Sequence, residues 1–388
     1  MKIAFVVTSI NSKSNGLGGH YHSLLVTAIE LSKLHEVFIV NIGNASARTF
    51  EETTIKLYTI IDQGPALFNI CVKLIDILKD EKPDILHAFD SSAYYWVRIA
   101  SKILKTPSCL TKCGGNNPIY FPLAKNLVLY SVENFKYFSS LNKFKQSKLS
   151  MIPNRISPFP DDSRRICKII SRLGEYAECY KFLRITRIGN YYHNSSLQLI
   201  NLVNRLTQDG IKCCAIFIGT VEDKIFLDDL IKQGGDNCFF FTESEFTKNA
   251  KSLIACSDAV LGTGRSFMEA AAKNKILLCP AKNSTLPAFI SLETFNDAFY
   301  YNFSERIVFQ TFNESISYNN LKNVLLNYLE RERYRSFTNL IFQEYFDANQ
   351  IVGKYEKVYE NAKMKIKPAI HVLDFLLHTL FIIRNYYR

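Results

Sequence analysis

Glycine and proline are scarce in this chain, 16 and 11 of 388 residues. With 47% hydrophobic residues, that scarcity excludes a disordered or fibrous polypeptide and points to a globular one. No Cys-x-x-Cys pair occurs among the ten cysteines, and Cys109, Cys213, Cys214 and Cys279 sit in apolar runs. A chain of this size needs no disulfide scaffold, so they read as reduced core residues of a cytosolic protein. The opening apolar run of Met1–Val7 is short, leads into Thr8-Ser-Ile-Asn-Ser12 and lacks a small-residue cleavage site. It reads as a first buried strand rather than a signal peptide. No Asp-x-Asp doublet stands in a loop suited to a metal; Asp161-Asp162 and Asp228-Asp229 read as linker and helix surface. No nucleic-acid motif interleaves with the basic clusters at Lys136–Lys148, Arg164–Lys168 and Lys363–Lys367. The net charge of +11 is therefore left to an anionic membrane surface or anionic small substrates.

What the chain does have is alternation. Ile3–Val7, Glu36–Ile42, Asp84–Ala88, Ser108–Thr111 and Asn126–Ser131 read as strands, separated by helical patterns. One such helix, His20–Leu34, puts Leu24, Leu25, Ala28 and Leu31 on one face. The stretch Pro153–Asp162 holds three prolines and reads as an extended hinge. Beyond it the plan repeats, with strands at Phe182–Arg187, Ala215–Gly219, Cys238–Thr242, Ala259–Gly262 and Ile276–Cys279. The expected fold is α/β: two facing Rossmann-like domains over 1–158 and 159–345, with closing helices over 346–388. A ligand cleft is expected between their strand ends.

The most informative segment is Val260-Leu-Gly-Thr-Gly-Arg-Ser-Phe-Met-Glu-Ala-Ala-Ala272. A buried strand runs into a two-glycine turn and then a helix, so the backbone N–H groups around Gly262, Gly264 and Ser266 are expected to form an anion cradle. Arg265 adds a fixed charge suited to phosphate. Glu269, one turn on, is placed to accept from ribose hydroxyls. The loop after the first strand, Asn15-Gly-Leu-Gly-Gly-His20, lacks Gly-x-Gly-x-x-Gly spacing, and the second strand ends at Asn41 rather than an acid. Both points argue against a dinucleotide dehydrogenase.

Several motifs then fall in a familiar order. Gly18-Gly19 precedes an amphipathic helix and His35-Glu36-Val37; Lys82-Pro-Asp-Ile-Leu-His87 and Thr106-Pro107 follow. Ile152-Pro-Asn154, with Arg155 next, Ile185-Thr-Arg-Ile188 and Gly262–Ala272 complete the series. Taken together the chain resembles GT-B glycosyltransferases of family 4 over almost its whole length. The resemblance implies a retaining transferase that moves a sugar from a nucleotide diphosphate sugar to a glycan or lipid-linked acceptor, in surface polysaccharide or glycolipid synthesis. It implies Arg187 as a diphosphate-binding arginine, Glu269 as the donor-site glutamate, and Gly18, Gly19, Gly262, Gly264, Arg265 and Ser266 as donor-binding positions. His87, with Asp90 beyond it, is the acceptor-side candidate; His20, His22 and Lys112 read either way. No metal or cofactor is expected, because cationic side chains and helix N-termini can meet the leaving diphosphate.

Three positions depart from the family pattern. Leu261 stands eight before Glu269, where a second glutamate is usual; Tyr191-Tyr192-His193 fill the stretch where a lysine is usual; Cys113 replaces a histidine. The alternatives are a sugar-nucleotide epimerase of the same fold and a catalytically silent partner or glycan-binding subunit. At the C-terminus, the apolar run Ile370–Ile383 is too short and polar to span a membrane. Lys363, Lys365, Lys367, Arg384 and Arg388 bracket it. It reads equally as a peripheral helix on an anionic membrane and as a closing helix packed on the first domain. The expected location is the cytoplasm, with the inner face of the plasma membrane as the peripheral alternative.

Overall fold

Continuous apolar runs of four to seven residues, buried on both faces, are the mark of parallel strands covered by helices on either side. The computed structural model of the chain describes residues 1–9, 18–44, 47–51, 53–61, 67–363 and 372–386. Most of the polar loop after the first strand, together with Lys365, Lys367 and Arg388, lies outside these described residues. The chain divides into two compact units: residues 1–157 with 348–388, and residues 158–347.

The first unit begins β1 (Lys2–Thr8), α1 (Gly19–Ser32), β2 (Glu36–Gly43), β3 (Lys56–Ile61), α2 (Leu67–Glu81) and β4 (Ile85–Ala88). It continues α3 (Ser91–Leu104), β5 (Ser108–Lys112), β6 (Asn126–Leu129), α4 (Val132–Ser140) and β7 (Lys148–Met151). Its seven strands are all parallel, in the order β3-β2-β1-β4-β5-β6-β7. Side chains of β1 alternate between two cores, Ala4 and Val6 in one and Ile3, Phe5 and Val7 in the other. β3 is the strand that periodicity alone does not reveal, because it is an edge strand with most of its residues partly exposed.

The second unit runs α5 (Ser163–Arg172), β8 (Tyr180–Ile185), α6 (Asn190–Gln208), β9 (Cys213–Ile218), α7 (Lys224–Gly234), β10 (Cys238–Phe241) and α8 (Ser244–Thr247). Then come β11 (Ala259–Leu261), α9 (Arg265–Ala272), β12 (Ile276–Cys279), β13 (Ala288–Phe289), α10 (Leu292–Tyr300), α11 (Glu314–Leu326) and α12 (Tyr328–Ile341). The sheet order is β10-β9-β8-β11-β12-β13, parallel except for the short β13. Two last helices, α13 (Val352–Lys363) and α14 (Val372–Tyr386), return to the first unit. Tyr355 and Tyr359 of α13 enter one of its cores and Ile382 of α14 the other. In each sheet the strand order reverses once, between β1 and β4 and between β8 and β11. Ligands of open α/β sheets bind at the carboxyl ends of the strands flanking such a reversal.

Candidate functional site

The reversal in the second unit is where the informative segment folds. Gly262 follows β11 directly, and a Cβ on it would lie 2.5 Å from Phe267 Cα and 2.7 Å from Phe267 N. Only glycine lets α9 begin this close to the strand. Gly264, at φ +50° and ψ −114°, turns the chain into the helix. Phe267 stacks on Phe303 with ring centroids 3.8 Å apart, and Asn302 and Phe303 both hold φ +53°. Two consecutive residues with side chains in that left-handed region store strain, a feature that clusters at ligand sites.

The anion cradle expected of this turn is not formed as read from the sequence. The Gly262 N–H donates to Leu278 O at 3.0 Å, the Gly264 N–H to Phe303 O at 3.0 Å, and the Thr263 N–H to Ser266 Oγ at 3.0 Å. Those amides hold the turn itself, and Ser266 acts as its staple. The positive charge facing the turn comes from side chains instead. Arg265 Nε donates to Glu269 Oε1 at 2.9 Å, one helical turn on. Glu269 is buried, and that burial pushes its carboxyl above the usual range against the pull of Arg265 and Lys251. Lys251 lies in the 3₁₀ segment Ala250–Cys256. Burial, and then the like charge of Arg265, hold its ammonium below the usual range, with Glu269 opposing. Arg265 therefore pairs with the carboxylate directly, and Lys251 adds a second positive charge in the same neighbourhood.

On the other side of the reversal, Arg187 lies just past β8. Its side chain is 56% exposed and pairs with Glu222 Oε1 at 2.5 Å, with its guanidinium 5.6 Å from the Tyr192 ring centroid. Beneath it, Arg184 of β8 is wholly buried. It donates to Leu261 O at 3.1 Å, to Ser195 Oγ at 2.5 Å and to Glu305 Oε1 at 2.8 Å. Arg184 thus fixes the last residue of β11 before the glycine turn. Sequence reasoning passed over both Arg184 and Lys251. An arginine inside the apolar run Phe182-Leu-Arg-Ile185 was the available signal for the first, and none marked the second.

No protein-family model and no curated protein sequence matches the chain. Solved structures do. HepE of Anabaena, crystallised with UDP, matches over 93% of this chain and 100% of its own, at TM-score 0.67 and 16% identity. A glycosyltransferase from Rickettsia africae matches over 94% and 99%, at TM-score 0.69 and 14% identity. This chain has a GT-B fold. AviGT4, a glycosyltransferase involved in avilamycin A biosynthesis, shares the GT-B architecture over 95% of this chain and 100% of its own, at TM-score 0.54 and 12% identity.

In the first GT-B unit the acceptor-side candidates are largely occupied with structure. His87 requires correction. It is fully buried on β4, Nε2 lies 2.7 Å from Thr111 Oγ1 and Nδ1 lies 3.0 Å from Tyr359 OH. Burial lowers its pKa to about 3, so a neutral ring packed among Phe5, Phe89, Tyr355 and Tyr359 is a core element rather than an accessible acid or base. Asp90 caps α3, accepting from Ala93 N at 2.7 Å, and ties down β1 through Thr8 N at 2.8 Å and Thr8 Oγ1 at 2.9 Å. Lys112 is buried and donates to Gly115 O at 3.5 Å, to Asn134 Oδ1 at 3.3 Å and to Gly114 O. It organises the Gly114-Gly115 turn, whose φ angles are +77° and +78°.

Gly18 is the N-cap of α1 and Gly19 its first residue, where a Cβ would meet nothing within 4 Å. Glycine is not sterically required at Gly19. His20 is partly buried beside Tyr21, with ring centroids 3.8 Å apart, and burial lowers its pKa against the opposing charge of Asp90. His22 is half-buried on α1. Among the described residues there is no group of three or more His, Cys, Asp or Glu side chains placed to hold a metal ion. None of the described helices is long and apolar enough to cross a membrane.

Proposed function

We propose that this chain is a glycosyltransferase that takes its sugar from a nucleotide diphosphate sugar and passes it, with retention, to a glycan or lipid-linked acceptor in the cytoplasm. The observation that carries the reading is the Arg265–Glu269 ion pair, largely buried at the strand reversal of a GT-B fold, with Lys251 near enough to feel both charges. Anabaena HepE, a protein of that fold, has been crystallised in complex with UDP and with UDP-glucose. The chemistry asked of such a site is leaving-group stabilisation. As the bond to the sugar breaks, negative charge grows on the diphosphate, and Arg265, Lys251 and Arg187 are the cations to meet it. A phosphate oxygen would also replace Glu222 as the partner of Arg187, at small cost because that ion pair is exposed. Glu269 would hold the ribose through its second oxygen. No metal is needed for this role.

Calorimetry with uridine, guanosine and cytidine diphosphates tests the reading. One of them should bind, and Arg265→Ala should abolish that binding; no binding by any of the three would overturn it. A second reading is favoured by one observation: Leu261 is fully buried inside β11, so no carboxylate can stand there facing a ligand. It makes the chain a silent GT-B partner that binds nucleotide or glycan without transfer. Turnover separates the two, since the silent partner neither hydrolyses nor transfers a donor it binds. A related epimerase would instead convert the donor with no acceptor present.

A further inference from the structure

The closing helix α14 is apolar on two faces. Its inward face docks on α3: Phe375 stacks on Tyr95 at 5.5 Å, and His378 lies 2.9 Å from Ser91 O. Asp374, buried, pairs with Arg98 at 2.9 Å and with Lys143 at 2.5 Å. This is the packing of a closing helix. Its outward face carries Val372, Leu373, Leu376, Leu377, Leu380 and Ile383, all exposed, with Leu373 at 65% and Leu380 at 63%. Their spacing of three and four residues makes one continuous stripe along the helix. Ile119 is fully exposed as well, and it precedes Tyr120, whose ring packs on His378 and Phe381. Contiguous apolar surface of this kind on a soluble chain marks an interaction site.

Charge decides what covers it. The only acid in α14 is the buried, paired Asp374, and residues 363–371 and 384–388 hold five lysines and arginines and no Asp or Glu. A second copy of this chain seated on the stripe would bring those like-charged flanks together. An anionic bilayer would neutralise them while taking up the leucines. We propose that the outward face of α14 lies in the headgroup region of an anionic membrane, while its inward face stays docked on α3. The two roles of the tail belong to opposite faces of one helix. The proposal is independent of donor chemistry.

The test is co-sedimentation of the full chain with phosphatidylcholine vesicles, with and without phosphatidylglycerol, for the parent and for the double variant L376S/L380S. Both substituted positions face solvent, so the variant should keep its melting temperature. The parent should bind the anionic vesicles, bind them less in high salt, and bind neutral ones weakly. The variant should lose at least about tenfold in partitioning, because each leucine withdrawn from water contributes about that factor. A parent that ignores anionic vesicles, or a variant that binds them as well as the parent, would overturn the proposal. So would a parent dimer that L376S/L380S turns into monomers, which would make the stripe a self-association surface. UDP calorimetry on the same variant reads the donor site separately.

Discussion

Glu269 is the carboxylate that pairs with Arg265, and its proposed second duty is the ribose. The two duties are separable by ligand. Glu269→Gln should weaken UDP binding about tenfold, while pyrophosphate, which has no ribose, binds as well or more tightly. Equal losses for both ligands in calorimetry would restrict Glu269 to holding Arg265. Arg187→Ala should cost about 2–4 kcal/mol in kcat/KM through the lost contact to the leaving diphosphate. Its melting temperature should stay put, since the Arg187–Glu222 pair is exposed and such pairs contribute little to stability. Arg184 should behave in the opposite way. Arg184→Met leaves Glu305, Ser195 and Leu261 O without their common donor, and denaturant titration should show a loss of about 3–5 kcal/mol.

At the scale of elements, the strand–turn–helix of β11 and α9 places two different demands on its glycines. Gly264→Ala meets Asn302 only at ordinary contact distance, 3.9 Å, but must hold φ +50° with ψ −114°, outside the wells open to residues with a side chain, so it should cost about 1–3 kcal/mol. Gly262→Ala drives a methyl into the Phe267 backbone and must push α9 away from the sheet, moving Arg265 and Glu269 with it. It should cost more stability than Gly264→Ala and abolish UDP binding; a Gly262→Ala protein with parental UDP affinity would separate the binding site from this turn. The docking of α14 includes a buried ion pair beside its apolar contacts. Asp374→Ala removes a buried carboxylate that pairs with both Arg98 and Lys143, and should lower the melting temperature, unlike changes on the outward leucines.

For the whole molecule, the second unit is an insertion in the first, entered after Ser157 and left after Asp347. Its core is drawn entirely from residues of that span. A polypeptide of residues 158–347 should therefore unfold cooperatively in urea. Residues 1–157 alone lack Tyr355 and Tyr359 and should keep helical circular dichroism without a cooperative transition. Acid stability is also a property of the fold. Burial lowers His87 from 6.5 to about 3 and His378 from 6.5 to about 4. A depressed histidine pKa means that the unfolded chain binds the proton first. Stability from these two residues is complete above about pH 6.5 and declines as pH falls toward their folded values. Each can contribute up to about 1.4 kcal/mol per pH unit in that window. His378→Gln should flatten the slope of unfolding free energy between pH 6.5 and 4; an unchanged slope would show that His378 does not carry it.

Read alone, the sequence determined the alternation of strands and helices, the parallel sheets and the place of the Gly262–Glu269 turn, because apolar periodicity and glycine spacing are local properties. It missed β3, whose edge position leaves no buried face to pattern, and it could not say which polar groups would be consumed inside the fold. His87 stands at a strand end like a site residue, yet its partner Tyr359 is 272 positions away. Arg184 is an odd charge in a strand until Leu261 O, 77 positions on, accepts from it. The glycine amides look free until Leu278 and Phe303 take them. Periodicity tells which face of an element is turned inward. Only packing decides what meets that face, and hence which donors, acceptors and charges remain for a ligand.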